Sequence, residues 1–235
     1  HFYVQSFCSD TTSSAWAVGH FYTNCDVLDT YQMGVENFDY YGVGQGVAPN
    51  CYIIGNLIDS ASNSYFPYCS DEFANSGSAS LKFVSIPAYN GAYAITPEIN
   101  IDDISRLRVK FYASTGKYFT SQYARDLTVA IVTDPTDLAT QTNIKTVKVY
   151  PGDALQYEVR FDEYIGDYND DYGRYVMFSS ELFTAATVNT VFIDDVVFDT
   201  IPECVSPKVR EVENKSDCIL LQLYEGTAPY QVKYI

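Results

Sequence analysis

The stretch Val191-Phe192-Ile193-Asp194-Asp195-Val196-Val197-Phe198 has the apolar character of a buried β-strand, yet it carries two adjacent carboxylates. Successive side chains of a strand point to opposite faces, so the face of Asp194 is expected to include Phe192, Val196 and Phe198. A carboxylate among large apolar side chains needs a cation, a network of hydrogen-bond donors or a raised pKa. The stretch therefore predicts a strand with a bound ion or a fixed polar network.

Composition narrows the class of protein. The chain has 235 residues, is 47% hydrophobic and 16% aromatic, and has 22 Tyr and 14 Phe against only 2 Met, a bias that favours strands. Its net charge of −16 argues against binding nucleic acid. No run approaches the roughly 18 apolar residues of a membrane-spanning helix. The start of the chain lacks the features of a signal peptide, and we expect a mature fragment of a longer protein.

Alternation of period two recurs through the middle of the chain. Residues 106–113 and 155–162 alternate apolar and polar side chains, as half-buried strands do. Turn signals such as Thr115-Gly116, Asp134-Pro135 and Pro151-Gly152-Asp153 separate the strand-like runs. No segment sustains the 3.6-residue apolar period of a helix. The sequence therefore predicts an all-β, antiparallel sandwich.

A series of short motifs in a fixed order resembles the MAM-type or adhesin-type jelly roll of repetitive bacterial surface proteins. In chain order these are Glu36-Asn37-Phe38-Asp39-Tyr40-Tyr41 as an opening strand, Ala48-Pro49-Asn50-Cys51, Ser76-Gly77-Ser78-Ala79-Ser80-Leu81-Lys82-Phe83, Ala94-Ile95-Thr96-Pro97-Glu98-Ile99, Leu107-Arg108-Val109-Lys110-Phe111 and the closing Ile193-Asp194-Asp195-Val196. The resemblance covers about residues 35–200. It implies a concanavalin/MAM-like jelly-roll β-sandwich.

Both flanks are similar to parts of fibronectin type III modules. Phe2-Tyr3-Val4-Gln5-Ser6-Phe7-Cys8 and His20-Phe21-Tyr22-Thr23 resemble the last strands of that fold, and the chain after Ser206-Pro207-Lys208-Val209 resembles its first strands. Leu223 stands where the family has a core Trp. The resemblance divides the chain into a partial module, a linker, the jelly roll, a second linker and a second partial module, at residues 1–24, 25–34, 35–200, 201–207 and 208–235.

The jelly-roll resemblance implies a structural calcium ion that ties the first strand to the last. Calcium takes 6–8 oxygen ligands from carboxylates and carbonyls. The candidate ligands are Glu36 and Asp39 on the first strand and Asp194 and Asp195 on the last, with carbonyls from the loop Asn75-Ser76-Gly77. Asp194 is favoured because its predicted face is the more apolar one. The alternative is that Asp194 caps backbone amides while Asp195 is solvated.

Aromatic-rich loops are the candidate ligand-binding surface. A sugar can stack its apolar face on an aromatic ring while Asp or Asn accepts hydrogen bonds from its hydroxyls. The candidate residues are Tyr65, Phe66, Tyr68, Tyr164, Asp167, Tyr168 and Tyr172, with a third aromatic cluster at Tyr118, Phe119 and Tyr123. The alternative is that these rings pack over the ends of the sandwich or contact neighbouring domains.

Six cysteines without a Cys-x-x-Cys pair argue against a zinc site and are compatible with an oxidising, extracellular setting. Cys25 and Cys51 bracket the first jelly-roll strand, so a disulfide between them would pin the preceding linker. Cys8 and Cys204 occupy similar positions in the two flanks and either lack their partners in this chain or pair with each other. Cys69 and Cys218 are expected to be small buried hydrophobes.

We therefore predict a non-enzymatic adhesion or binding module of a secreted or surface-displayed multidomain protein. A glycan is the leading ligand class and a host surface protein the second, with neighbouring domains of the same protein as further partners. No nucleic acid and no membrane insertion are expected. The alternatives are a structural spacer and a cryptic glycoside hydrolase, although the Glu-x-Asp-x-x-Glu motif of jelly-roll glucanases and the Gly-x-Ser-x-Gly motif are both missing.

Overall fold

The structure is a computed structural model. It describes residues 25, 28, 34–57, 66–85, 91–116, 124–166, 173–180 and 190–202 with their side chains, and only the backbone at residues 2–4, 7–9, 12–13, 17–19, 29, 181, 189, 208–214 and 219–224. In this part of the chain, regular structure consists of strands and two short 3-10 turns, at Ile104–Arg106 and Leu138–Thr140. It contains no helix with the length and apolarity needed to cross a membrane.

The described strands follow one another along the whole chain. In order they are β1 (Phe2–Val4), β2 (Phe7–Ser9), β3 (Thr12–Ser13), β4 (Ala17–Gly19), β5 (Leu28–Asp29), β6 (Ile53–Asn56), β7 (Tyr68–Ser70), β8 (Ser80–Ser85), β9 (Gly91–Ile95), β10 (Ile99–Asn100), β11 (Leu107–Ser114), β12 (Arg125–Val132), β13 (Gln141–Val149), β14 (Leu155–Arg160), β15 (Tyr175–Glu181), β16 (Asn189–Thr200), β17 (Lys208–Asn214) and β18 (Ile219–Tyr224).

Two five-stranded antiparallel sheets form the body. Sheet I has the order β14-β11-β16-β8-β7, and sheet II has the order β13-β12-β15-β9-β6. Their apolar faces enclose one main core, to which both sheets contribute. This is the antiparallel jelly-roll sandwich that the sequence predicts, and the fold class is confirmed.

Strand β11 has the alternation of buried and partly exposed residues that the sequence predicts. Leu107, Val109 and Phe111 are fully buried, whereas the residues between them are half-exposed. The Phe111 ring lies 5.3 Å from the ring of Phe178 in an edge-to-face arrangement and 5.6 Å from that of Tyr157 in a stacked one. Phe111 thus connects β14 and β11 of sheet I with β15 of sheet II through the core.

A β-bulge interrupts the alternation of β16 at Asp195, whose φ is +49°. The register with β11 shifts at this point. Ile193 before the bulge and Val196 after it both lie in the core, so Phe192 and Asp194 lie on the outer face of sheet I. The prediction that Phe192, Asp194, Val196 and Phe198 share a face is wrong, because one extra residue reverses the alternation.

The predicted opening strand at residues 36–41 is reduced to a single bridge. Glu36 and Val196 exchange two backbone hydrogen bonds of 2.9 Å. The chain then turns out of the sheet at Phe38, whose φ is +58° and whose N–H donates to Glu36 Oε1 at 2.9 Å. A side chain that accepts from the backbone two residues later favours a turn over a strand, which explains the difference.

The flanks contain two-stranded pairs. β1 pairs with β4, β2 with β3, and β17 with β18, all antiparallel. Within the predicted linker 25–34, β5 pairs in parallel with β10. The predicted strand at residues 230–234 lies outside the described residues, and the division into fibronectin-like modules stays a prediction.

The central position of Phe111 predicts a large loss of stability when its ring is removed. We expect Phe111→Ala to lower the free energy of unfolding by about 3–5 kcal/mol, because it leaves a cavity between the sheets. Tyr112→Ala, its half-exposed neighbour on the outer face, is the matched control and should cost about 1 kcal/mol or less. Urea unfolding followed by fluorescence measures both, and equal losses would contradict this account of the core.

Candidate functional site

The Asp194 side chain binds backbone amides of the loop that connects β7 to β8. Its Oδ2 accepts hydrogen bonds from the N–H groups of Asn75 at 2.7 Å and Ser76 at 3.0 Å. The side chain is only 2% exposed, so these amides replace water as its donors. Asp194 therefore caps backbone amides, which is the alternative that the sequence analysis left open.

Asp195 binds the same loop through side chains. Its Oδ2 accepts from the Asn75 side-chain amide at 2.7 Å, and its Oδ1 accepts from the Ser76 hydroxyl at 2.6 Å. The bulge allows this arrangement, because two successive residues of one strand both reach the loop. Asp195 is thus engaged rather than merely solvated.

Asp39 holds the other half of the loop. Its Oδ1 accepts from the N–H groups of Ser78 at 2.6 Å and Ala79 at 2.9 Å. A Cβ on Gly77, whose φ is +58°, would lie 1.7 Å from Asp39 Oδ2, so only glycine fits this position. We call residues 75–79 the clamped loop, because Asp39, which precedes β6, and Asp194 and Asp195 of β16 bind it from both sides.

Glu36, the fourth predicted calcium ligand, uses both carboxylate oxygens within its own turn. Oε1 accepts from the Phe38 N–H at 2.9 Å and Oε2 from the Tyr41 hydroxyl at 3.0 Å. Among the described residues, no three His, Cys, Asp or Glu side chains come together as a metal site. In this arrangement the four carboxylates act as hydrogen-bond acceptors, and the calcium ion stays a prediction.

Asp194 and Asp39, the two carboxylates that accept backbone amides of the clamped loop, differ in their pKa values. Burial raises the pKa of Asp194 to about 6, against the effect of the amide hydrogen bonds, which favour the ionised form. The amide hydrogen bonds from Ser78 and Ala79 lower the pKa of Asp39 below its ordinary value. The clamp thus combines one readily ionised carboxylate with one that resists ionisation.

A disulfide joins Cys25 to Cys51, with 5.5 Å between their Cα atoms. It ties the segment before the jelly roll to the loop before β6. Cys69 is a fully buried free thiol, and burial raises its pKa to about 12, so it behaves as a small hydrophobe. The other three cysteines, Cys8, Cys204 and Cys218, lie outside the residues whose side chains are described.

The predicted aromatic ligand site is not an exposed platform where the structure describes it. Tyr68 and Tyr164 are each 8% exposed, and Phe66 is half-buried. Tyr68 packs beneath the Lys82 ammonium, and the Tyr164 hydroxyl accepts from the Gly173 N–H at 3.2 Å. Neither ring offers a face to a ligand, because both serve packing. The other predicted residues lie outside the described part of the chain: Tyr65, Asp167, Tyr168 and Tyr172, with Tyr118, Phe119 and Tyr123 of the third cluster.

A groove that the sequence analysis did not identify lies between edge strands β13 of sheet II and β14 of sheet I. It has a volume of about 620 Å³. We call it the edge groove. Its lining residues are Ile144, Lys145, Val147, Gln156, Tyr157, Glu158, Arg160, Asp162 and Glu163.

Tyr157 gives the edge groove a fixed aromatic wall. The ring stacks on Phe111 of the core, and its hydroxyl donates to the Lys148 carbonyl at 2.8 Å. The apolar residues Ile144 and Val147 also line the groove. Because one part of the Tyr157 ring is anchored in the core, the part that lines the groove is pre-positioned.

Charged side chains of sheet I form a network beside the groove. Arg108 makes a bidentate pair with Asp199 at 2.8 and 3.1 Å, and its third nitrogen reaches Glu158 at 3.2 Å. Its hydrogen bond with Asp199 raises the pKa of Arg108, and the bonds from Arg108 and Lys110 lower that of Asp199 despite partial burial. Glu158 therefore lines the groove with its charge already paired.

The clamp predicts that Asp194 is needed for stability. Asp194→Ala should lower the free energy of unfolding by about 2–4 kcal/mol, because the amides of the clamped loop lose their acceptor. Asp126→Ala, which removes an exposed ion pair with Lys148, should cost less than about 1 kcal/mol. Chemical unfolding of both variants tests this, and an unaffected D194A protein would contradict the clamp.

The raised pKa of Asp194 predicts a pH dependence with a definite sign. The folded-state pKa of about 6 exceeds the unfolded value, so the stabilisation is complete below about pH 4 and is lost as the pH rises through 6. In chelated buffer, the free energy of unfolding should fall more steeply between pH 4 and 7 for the wild type than for Asp194→Asn. Asp39 and Asp199 have lowered pKa values, so their contributions to the free energy of unfolding are lost only below about pH 4, outside this pH range. Parallel pH profiles would contradict the assignment.

No protein-family model matches the chain, and no curated protein matches it either. Solved structures do resemble it. The K3 cleaved adhesin domain of Lys-gingipain from Porphyromonas gingivalis w83 superposes with a TM-score of 0.52 at 14% identity, over 71% of this chain and 98% of that one. The C-terminal family 22 carbohydrate-binding module of Clostridium thermocellum Xyn10B gives a TM-score of 0.45 at 14% identity, over 71% and 91%.

The likeness to the K3 domain shows the fold alone, because the sequences are so different. It does not extend to the MAM or fibronectin type III families, and these resemblances stay predictions. The chain has the jelly-roll fold that this adhesin domain also has.

Proposed function

We propose that this protein is a non-enzymatic, extracellular binding module that recognises glycans through the edge groove. The observation that carries the proposal is the combination in one groove of a fixed tyrosine ring, apolar side chains and both donors and acceptors. A sugar needs this combination, since it presents apolar C–H faces and hydroxyl groups together. The fold shared with an adhesin domain agrees with a binding role.

The dimensions of the groove suit an oligosaccharide. Its volume of about 620 Å³ falls within the usual range for small-molecule sites. Gln156 and Lys145 are exposed at its sides and free to reach hydroxyl groups. Tyr157 supplies the stacking surface at little entropic cost, because Phe111 already holds its ring.

Several features favour binding over hydrolysis. Two of the three carboxylates that line the groove are engaged in ion pairs, Glu158 with Arg108 and Asp162 with Arg160. Among the residues that the structure describes, Asp194 is the carboxyl group with a raised pKa, and it lies at the clamped loop and not in the groove. A general acid for glycoside hydrolysis would need a raised pKa beside the substrate.

The proposal predicts glycan binding that depends on groove side chains. On a glycan array we expect the wild type to bind a defined set of oligosaccharides, and the double variant Lys145→Ala with Gln156→Ala to lose about tenfold in affinity or more. Both residues are exposed, so the variant should fold. Lys148→Ala is the matched control, because Lys148 is exposed on the same strand but does not line the groove.

Parallel arrays with calcium and with chelator test the predicted ion. Binding lost only in chelator would support a calcium ion that stabilises the fold around the site. Release of new reducing ends from a bound glycan would favour the hydrolase alternative. A folded protein that binds no glycan in either buffer would overturn the proposal and favour a spacer.

A further inference from the structure

The charges of the edge groove indicate which glycans it takes, an inference that rests on the proposed function. Five charged residues line the groove: Lys145, Glu158, Arg160, Asp162 and Glu163. Their ion pairs decide which of these charges remain available to a ligand. Glu158 is neutralised by Arg108, and Asp162 pairs with Arg160 at 2.8 Å.

Arg160 keeps a donor that the protein does not use. One terminal nitrogen binds Asp162, but the buried Nε has no hydrogen-bond partner among the described residues. The residue directly opposite on β11 is Arg108, another cation, which cannot accept a hydrogen bond. The Nε is out of reach of solvent, so a ligand oxygen would approach Arg160 at its terminal guanidinium nitrogens, because the side chain as a whole is 33% exposed.

Lys145 supplies a second available cation from the other side of the groove. It is exposed on β13 and forms no ion pair within the described part of the chain. Its neighbour in the sheet register is the core residue Val129, so no carboxylate lies directly opposite the lysine on β12. Lys145 on β13 and the Arg160 guanidinium on β14, which also pairs with Asp162, thus both line the edge groove.

We propose that the edge groove recognises a sugar that bears a single carboxylate, such as a uronic acid, within an otherwise neutral oligosaccharide. The carboxylate accepts from Arg160 and Lys145, and a neighbouring sugar packs against Tyr157. Charge-assisted hydrogen bonds of this kind are stronger than those to neutral hydroxyls. A densely charged polyanion does not fit, because the whole chain carries a net charge of −16 and Glu163 lies at the same groove.

The test compares glycans that differ only in the carboxylate. The probes are glucuronic-acid-substituted xylo-oligosaccharides and oligogalacturonides, each paired with its carboxyl-reduced form, and chondroitin sulfate as a polyanion. We expect one acidic probe to bind about tenfold more tightly than its reduced form, with an affinity that falls as salt rises. Lys145→Ala should abolish this preference while Lys148→Ala retains it. Arg160→Lys, which keeps the charge, should weaken it because the planar guanidinium and its several donors are lost.

The outcomes separate this inference from the proposed function. If neutral glycans bind at the groove and their acidic forms bind no better, the carboxylate inference is overturned and the glycan proposal stands. If chondroitin sulfate binds most tightly, the inference of an isolated carboxylate is overturned. If no glycan binds a protein shown to be folded, both fail. A carboxylate preference that survives in both Lys145→Ala and Arg160→Lys would place recognition elsewhere and overturn the site.

Discussion

Hydrogen bonds from the backbone of the clamped loop to Asp39 and Asp194 connect the beginning of the jelly roll to its end. Each carboxylate takes two successive amides, so four N–H groups of residues 75–79 are satisfied from opposite sides. Glu36 reinforces the junction by its backbone bridge to Val196. The hydrogen bonds of Asp194 join residues that are 118 and 119 positions apart in the sequence. The sandwich therefore depends on two carboxylates whose solvation the protein has replaced with its own amides.

The bulge at Asp195 makes this junction compatible with a continuous core. Without the extra residue, an outward Asp194 would send Val196 and Phe198 outward too. With it, the apolar residues on both sides of the bulge enter the core while Asp194 and Asp195 remain at the loop. A left-handed conformation at a non-glycine residue costs energy, and the hydrogen bonds of Asp195 to the loop offset it. The bulge thus allows both the packing of the core and the hydrogen bonds to the clamped loop.

The edge groove follows from the same two-sheet architecture. Strands β13 and β14 are consecutive in the chain but are edge strands of different sheets, and the groove lies between them at the side of the sandwich. Tyr157 is anchored there by Phe111 in the core, and the ion pairs of Arg108 hold the adjacent outer face. Core packing therefore holds the Tyr157 ring in place, and the proposed recognition relies on Lys145 and Arg160, which line the same groove.

The sequence alone determined the class of fold and the strands whose alternation is regular, such as β11, because burial of one face imposes a period of two. It also singled out Asp194 and Asp195, since carboxylates in an apolar strand need partners, and the jelly-roll resemblance added Asp39. The partners themselves were decided only by the tertiary structure: amides of a loop more than a hundred residues from Asp194 in sequence. The bulge, the burial of Tyr68 and Tyr164, and the edge groove were likewise beyond the sequence. Each of these features depends on which strands become neighbours. A period-two pattern shows which face of a strand is exposed to solvent, but it does not show which residues pack beside that strand.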